Sequence, residues 1–173
     1  MLITLAAALV AACQDPTQVT MSLTTDLPCE RLHSVEIFVA GPGESESASQ
    51  PPTAEALSCE AGRIGSLVVV PSGAPDARFD VRVVAGIEGP AADCQPPDYQ
   101  SDAGDCVVAR RSLTFLERTP LTLPITMREA CIDVPCAPGL SCVGGGCVFS
   151  EIADATACVA EGCPESVLPA CTT

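Results

Sequence analysis

Twelve cysteines in 173 residues constrain this chain more than any other feature. No two stand as a C-x2-C pair, and His33 is the only imidazole. Zinc sites of ordinary spacing are therefore disfavoured, and the cysteines read as a disulfide framework that belongs outside a reducing cytosol. Cys29, Cys59, Cys94, Cys106, Cys131, Cys136, Cys142, Cys147, Cys158, Cys163 and Cys171 are the candidates for pairing, with the connectivity open. Loop proximity suggests Cys29 with Cys59 and Cys94 with Cys106. The second pair would close a loop of about 13 residues, contributing roughly 3 kcal/mol by chain entropy.

The first cysteine has a different setting. Residues 1–12 read MLITLAAALVAA, uncharged and apolar except for Thr4, and Cys13 follows at once. Twelve such residues rise about 18 Å as a helix, too short for a hydrocarbon core of roughly 30 Å, so a signal-peptide apolar region is expected. No Lys or Arg precedes it, which places the expected start codon upstream. Val10-Ala11-Ala12-Cys13 resembles the lipobox of bacterial lipoproteins. That resemblance implies that Cys13 is diacylated, carries fatty acyl chains such as palmitate and becomes the mature N-terminus. With Gln14 and not Asp after the cysteine, it further implies the outer membrane. Lipidation leaves an odd eleven cysteines. In the alternative, an ordinary leader or first helix leaves Cys13 to pair within an even twelve.

A period of two dominates from Gln18 onward, as in half-buried strands. Val19, Met21 and Leu23 alternate with Thr and Ser; Val35, Ile37 and Val39 alternate with Ser34, Glu36 and Phe38. Residues 64–70 and the Phe79, Val81, Val83, Ala85 series flank a turn-forming Ser72-Gly73-Ala74-Pro75-Asp76 and predict a hairpin. Residues 107–115 and 121–127 predict a second, with Pro124 confined to an edge or a bulge. A short strand over 56–60 completes about seven strands without a convincing amphipathic helix. The expected fold is all-β: an immunoglobulin-like or transthyretin-like β-sandwich over residues 18–128, after a signal peptide over 1–12 and an anchor and tether over 13–17. Four Phe, one Tyr and no Trp leave the core to Val, Ile, Leu and Ala, which makes the disulfides more important.

Residues 129–173 form the remaining unit, with seven cysteines, six acids and no base. Such a stretch cannot build its own hydrophobic core, and its first four cysteines suggest a small knotted module. Lipobox, sandwich and Cys-rich end together resemble predicted envelope lipoproteins of myxobacterial type. A four-residue tether reaches roughly 14 Å, so the sandwich is expected against the headgroups with its acidic Cys-rich end pointing away from lipid.

The formal charge of −14 opposes binding to phosphate backbones and excludes nucleic acid as a partner. No catalytic residue, metal or cofactor is expected. A nucleophilic triad would have to use His33, and there is no G-x-S-x-G elbow. Asp98, Asp102 and Asp105 depart from an EF-hand because Ala103 stands where Gly is required; a solvated acidic loop is the expectation. The other acidic loop, residues 41–54, is expected to be flexible. Arg111 would share the core face of Leu113 and Phe115 if the strand is regular, which calls for a later strand start, a bulge, or a buried carboxylate such as Glu36 or Asp80. The expected role is non-enzymatic: a lipid-anchored envelope protein that binds or supports another envelope or surface protein. The alternative is a secreted inhibitor or toxin-like module with the Cys-rich tail as effector.

Overall fold

The computed structural model describes residues 14–97, 99, 105–158 and 162–171. The leader and Cys13 lie outside the described residues, as do Asp98 and Asp102.

Nine strands follow one another: β1 (Gln18–Thr25), β2 (Leu32–Ala40), β3 (Ala54–Ala56), β4 (Arg63–Val69), β5 (Arg78–Ile87), β6 (Asp105–Thr114), β7 (Pro120–Met127), β8 (Leu140–Val143) and β9 (Gly146–Phe149). The first seven make a sandwich of two sheets, ordered β4-β1-β7 and β3-β2-β5-β6. The period of two does its expected work. In β1 every second residue is buried, and Val19, Met21 and Leu23 meet Val35, Ile37, Val81 and Val83 of the other sheet in one core.

Neither expected hairpin forms. β4 pairs with β1 and β5 with β2 and β6, so the Pro71 to Asp76 turn carries the chain from one sheet to the other. β6 and β7 likewise lie in different sheets, and β7 runs parallel to β1. Alternation reports which face of a strand is buried, and two such faces can meet across a sandwich as well as along a shared edge. The short strand is also displaced, to Ala54–Ala56, with Glu60 making only an isolated bridge to Arg63. Pro124 does sit on an edge strand, where it costs no ladder hydrogen bond. That edge is partly covered, because the Cys163 amide donates to the Thr122 carbonyl at 2.9 Å.

The five disulfides among the described residues join cysteines between positions 29 and 163: Cys29–Cys59, Cys94–Cys106, Cys131–Cys142, Cys136–Cys147 and Cys158–Cys163. Cys171 is exposed and unpaired among the described residues. The crossed pairs Cys131–Cys142 and Cys136–Cys147 staple the β8-β9 hairpin. Lacking a core of its own, this unit borrows the sandwich's: Cys131, Cys136, Cys142, Cys158 and Cys163 are buried in the same cluster as β1 and β7.

The Cys-rich unit lies along the sandwich. The unit starts beside Cys106, whose carbonyl accepts from the Asp133 amide, and then runs down the flank of β6 to a bridge between Ser112 and Glu151. Cys163 ends beside Thr122, the register partner of Thr20, close to the start of β1.

Candidate functional site

β5 is buried on both faces over most of its length. Its inner face meets the other sheet; its outer face is covered by two loops, residues 41–53 and, in the second, residues 88–97 with Tyr99. The second loop can fold back because Gly86 carries no Cβ. One built there would collide with the Gly89 carbonyl and the Ala91 amide, and the Ala91 amide is held by Ser34 Oγ at 2.8 Å. Beneath this cover, Phe38, Arg82 and Arg110 stand in register across β2, β5 and β6. Two arginines directly opposite one another on a sheet are destabilising unless something lies between them.

Tyr99 and Glu46 fill that role. Arg82 Nη1 donates to the Tyr99 hydroxyl at 2.7 Å, and that hydroxyl donates to Glu46 Oε2 at 2.6 Å. Glu46 takes Arg110 in a fork, Nε to Oε1 at 2.5 Å and Nη2 to Oε2 at 3.2 Å. The remaining Arg110 Nη1 donates to the carbonyls of Cys136 and Leu140, which connects the network to the Cys-rich unit. The Arg82 guanidinium also lies 3.8 Å from the Phe38 ring centroid, a desolvated cation–π contact contributing about 2 kcal/mol. Tyr99 has a left-handed backbone, φ 50°. Strain of that kind persists only where surrounding contacts impose it, and here the two hydroxyl bonds do so.

Burial pushes the Glu46 carboxyl up, but Arg110, Tyr99 and Arg82 together outweigh it and hold its pKa below the ordinary 4.5. Burial and the hydrogen bond to Glu46 push the Tyr99 phenol up. Glu36, one pair along on the same outer face, moves the other way. Burial and Glu55 across β3 raise its pKa, with Arg82 opposing. The signs give a pH profile. As pH falls toward 4.5 from above, protonation of Glu36 stabilises the fold slightly; below 4.5, protonation of Glu46 removes stability that is fully present at neutral pH. Urea midpoints between pH 7 and pH 3 check this, and the expected result is that a Glu46→Gln variant loses the acid-side fall specific to this carboxylate.

The expected flexible loop is thus the one that supplies the buried carboxylate. Ser45 is buried, the Gly43 amide donates to Asp80 Oδ2 at 2.6 Å, and the Thr53 hydroxyl accepts from the Val39 amide. Arg111 differs from its expected pairing as well. The β5–β6 register carries no bulge, so Arg111 does share the Leu113 face. Its carboxylate is Glu165, at 3.6 Å, and not Glu36 or Asp80. That distance is an ion pair too long for a hydrogen bond, and Glu165 Oε1 has no hydrogen-bond partner among the described residues. Ser141 Oγ and the Arg110 carbonyl accept from Arg111 Nη1 instead. Burial lowers the Arg111 pKa to about 10, against the pull of Glu165, and it stays charged at neutral pH.

His33 sits exposed on β2 where the register shifts. Asp105 opens β6. Sequence reasoning passed over Arg82, Arg110, Glu46 and Tyr99, although the chain's single Tyr inside a disulfide-closed acidic loop was an available signal.

No protein-family model matches the chain, and neither curated proteins nor solved structures give a match.

Proposed function

We propose that this is a non-enzymatic lipoprotein of the bacterial cell envelope, anchored through Cys13, whose sandwich acts by binding. One observation carries most of the weight: among the described residues, five disulfides use the ten cysteines from Cys29 to Cys163 and Cys171 is left unpaired. That leaves the lipobox cysteine available for acylation. Five disulfides also favour an oxidising, extracytoplasmic setting. The outer membrane is the address implied by Gln14. β1 begins at Gln18, and Thr17 is already tied to the Arg118 amide at 2.8 Å, so the short tether keeps the sandwich near its own membrane. The partner is accordingly another envelope or surface protein. The packing disfavours the secreted-effector reading, since the Cys-rich unit shares the sandwich core and has no separate body to deploy.

Metabolic labelling with a fatty-acid analogue tests the anchor. The native chain should carry label and the Cys13→Ser variant none. Thiol titration of the denatured, unreduced native protein should then find one sulfhydryl, that of Cys171. An unlabelled native chain with no free thiol would mean that Cys13 pairs with Cys171, and the anchored reading would fail.

A further inference from the structure

Each sheet of the sandwich ends in two edge strands, and three of the four are closed to further pairing. β7 carries Pro120 and Pro124, which have no N–H to offer, and its Thr122 carbonyl already accepts from the Cys163 amide. β6 is covered by the Cys-rich unit: the Ser112 amide donates to the Ser150 carbonyl, the Ser112 carbonyl accepts from the Ile152 amide, and Ser141 Oγ takes the Arg110 amide. β3 is three residues long with Glu55 at its centre. β4 has none of these protections. The one irregularity in its ladder with β1 falls at Ile64, whose side chain is turned into the core. From Gly65 onward the strand is regular, and among the described residues the backbone groups of residues 65–69 pair with β1 alone. Every second residue of such an edge directs its N–H and C=O away from the sheet.

The side chains of this edge are apolar as well. Val68, register partner of Thr20 on the outer face, is 52% exposed, and Val70 is 60% exposed. Together with Leu57, which follows β3 where that strand touches β4, they are three of the four large hydrophobic side chains exposed among the described residues. Leu67 and Val69, on the inner face, are only partly buried. Residues 65–70 read GSLVVV; the nearest charges along the chain are Arg63 and Asp76. An edge that is unpaired, apolar and uncharged is a template for another strand.

We propose that β4 pairs with β4 of a second copy of this chain, antiparallel about a two-fold axis at Val68, so that the two three-stranded sheets join into one. The register sets Val68 against Val68 of the second copy. Leu67 then meets Val69 on the inner face, Ser66 meets Val70 on the outer face, and no charge stands opposite another. Apolar and β-branched cross-strand pairs of this kind are what stabilise a ladder. Self-pairing is favoured over a strand from another protein because the run matches its own reverse and because a symmetric contact covers both free edges at once. With the remaining edges closed, assembly stops at two. The axis stands normal to the sheet, so both outer faces keep to one side, and two copies anchored as proposed above can share a membrane. The inference goes beyond that reading and does not rest on it.

Sedimentation equilibrium of the full chain in density-matched detergent micelles tests the pairing. The protein mass should rise with concentration to twice that of one chain. Two copies of charge −14 repel, so association should strengthen at least threefold from about 50 to about 500 mM salt as the repulsion is screened. Val68→Lys sets two ammonium groups opposite one another and should weaken association at least tenfold at an unchanged melting temperature. Val70→Lys should weaken it too, which guards against one variant failing to fold. Phe149→Lys removes the fourth exposed apolar side chain, on β9, and should change nothing. In a Cys171→Ser background, Val68→Cys should oxidise to a covalent dimer, since directly opposed residues lie about 4.5–5.5 Å apart at Cα. The proposal is overturned if the native chain stays monomeric up to about 1 mM, if both lysine variants on β4 associate as the parent does, if Phe149→Lys dissociates the dimer, or if Cys171→Ser alone abolishes it. Fatty-acid label on Cys13 is read separately: a labelled monomer removes this contact and leaves the anchored reading standing, and an unlabelled dimer does the reverse.

Discussion

Glu46→Gln is expected to destabilise the protein by about 3 kcal/mol, the largest effect of any single substitution outside the hydrophobic core and the cysteines. The side chain keeps its size and loses only its charge, so the loss measures electrostatics and not packing. Arg110 is 5% exposed at its side chain and Glu46 21%. Removing one partner of a buried pair costs about 3–5 kcal/mol because the other charge stays buried and uncompensated; the partial exposure of Glu46 places the expected loss near the lower bound. Arg82 stands opposite Arg110 in the ladder, and without Glu46 the Tyr99 hydroxyl alone would separate them. For a chain of this size, 3 kcal/mol corresponds to a fall of roughly 6–12 °C in melting temperature.

A surface pair supplies the contrast. Arg78 and Glu151 also meet at 2.9 Å, but their side chains are 40% and 52% exposed. Exposed pairs contribute about 0–1 kcal/mol, so Glu151→Gln should leave the urea midpoint nearly unchanged. If Glu46→Gln and Glu151→Gln prove equal, the outer-face network is not structural. Replacing the buried pair whole, by Arg110→Met with Glu46→Leu, should recover most of the loss, since apolar substitutes escape the desolvation cost.

The sequence disclosed the inner faces of the strands because burial against a single core imposes alternation that a reader can count. It also disclosed Cys29–Cys59 and Cys94–Cys106, whose partners are consecutive cysteines in the chain. The outer face was illegible for a physical reason. Arg82 alternates with core residues just as a solvated arginine does, and only the loops that fold over it make it a buried one. Those loops act across the chain: Tyr99 reaches Glu46 at a separation of 53 residues, and Glu46 reaches Arg110 at 64. A Ser-, Pro- and acid-rich segment such as residues 41–54 has the composition of a flexible loop, and one buried carboxylate within it changes its role without changing that composition. Strand partners were hidden in a similar way, since the faces of β4 and β5 are equally apolar whether the strands pair or oppose.

The second large effect separates two ways in which a disulfide stabilises. By chain entropy alone, Cys29–Cys59, with a sequence separation of 30, should contribute more than Cys131–Cys142, with 11: about 3.7 against 2.8 kcal/mol. Burial reverses that order. Cys131 and Cys142 are 2% and 5% exposed and belong to the main core, whereas Cys29 and Cys59 are only partly buried. Replacing Cys131 and Cys142 by Ala therefore also removes packed sulfur and leaves a void, and the expected cost is about 4–5 kcal/mol against about 3 for Ala at 29 and 59. The bridge also has a remote role. Cys136 and Leu140, whose carbonyls accept from Arg110 Nη1, lie within the loop that it closes. Freeing that loop should loosen Arg110 and reduce what Glu46 can contribute. Combining the double Ala variant with Glu46→Gln should consequently cost at least 0.5 kcal/mol less than the two changes summed, a coupling typical of groups in one network. Simple additivity in urea unfolding would show instead that the Cys-rich unit and the outer-face network are mechanically independent.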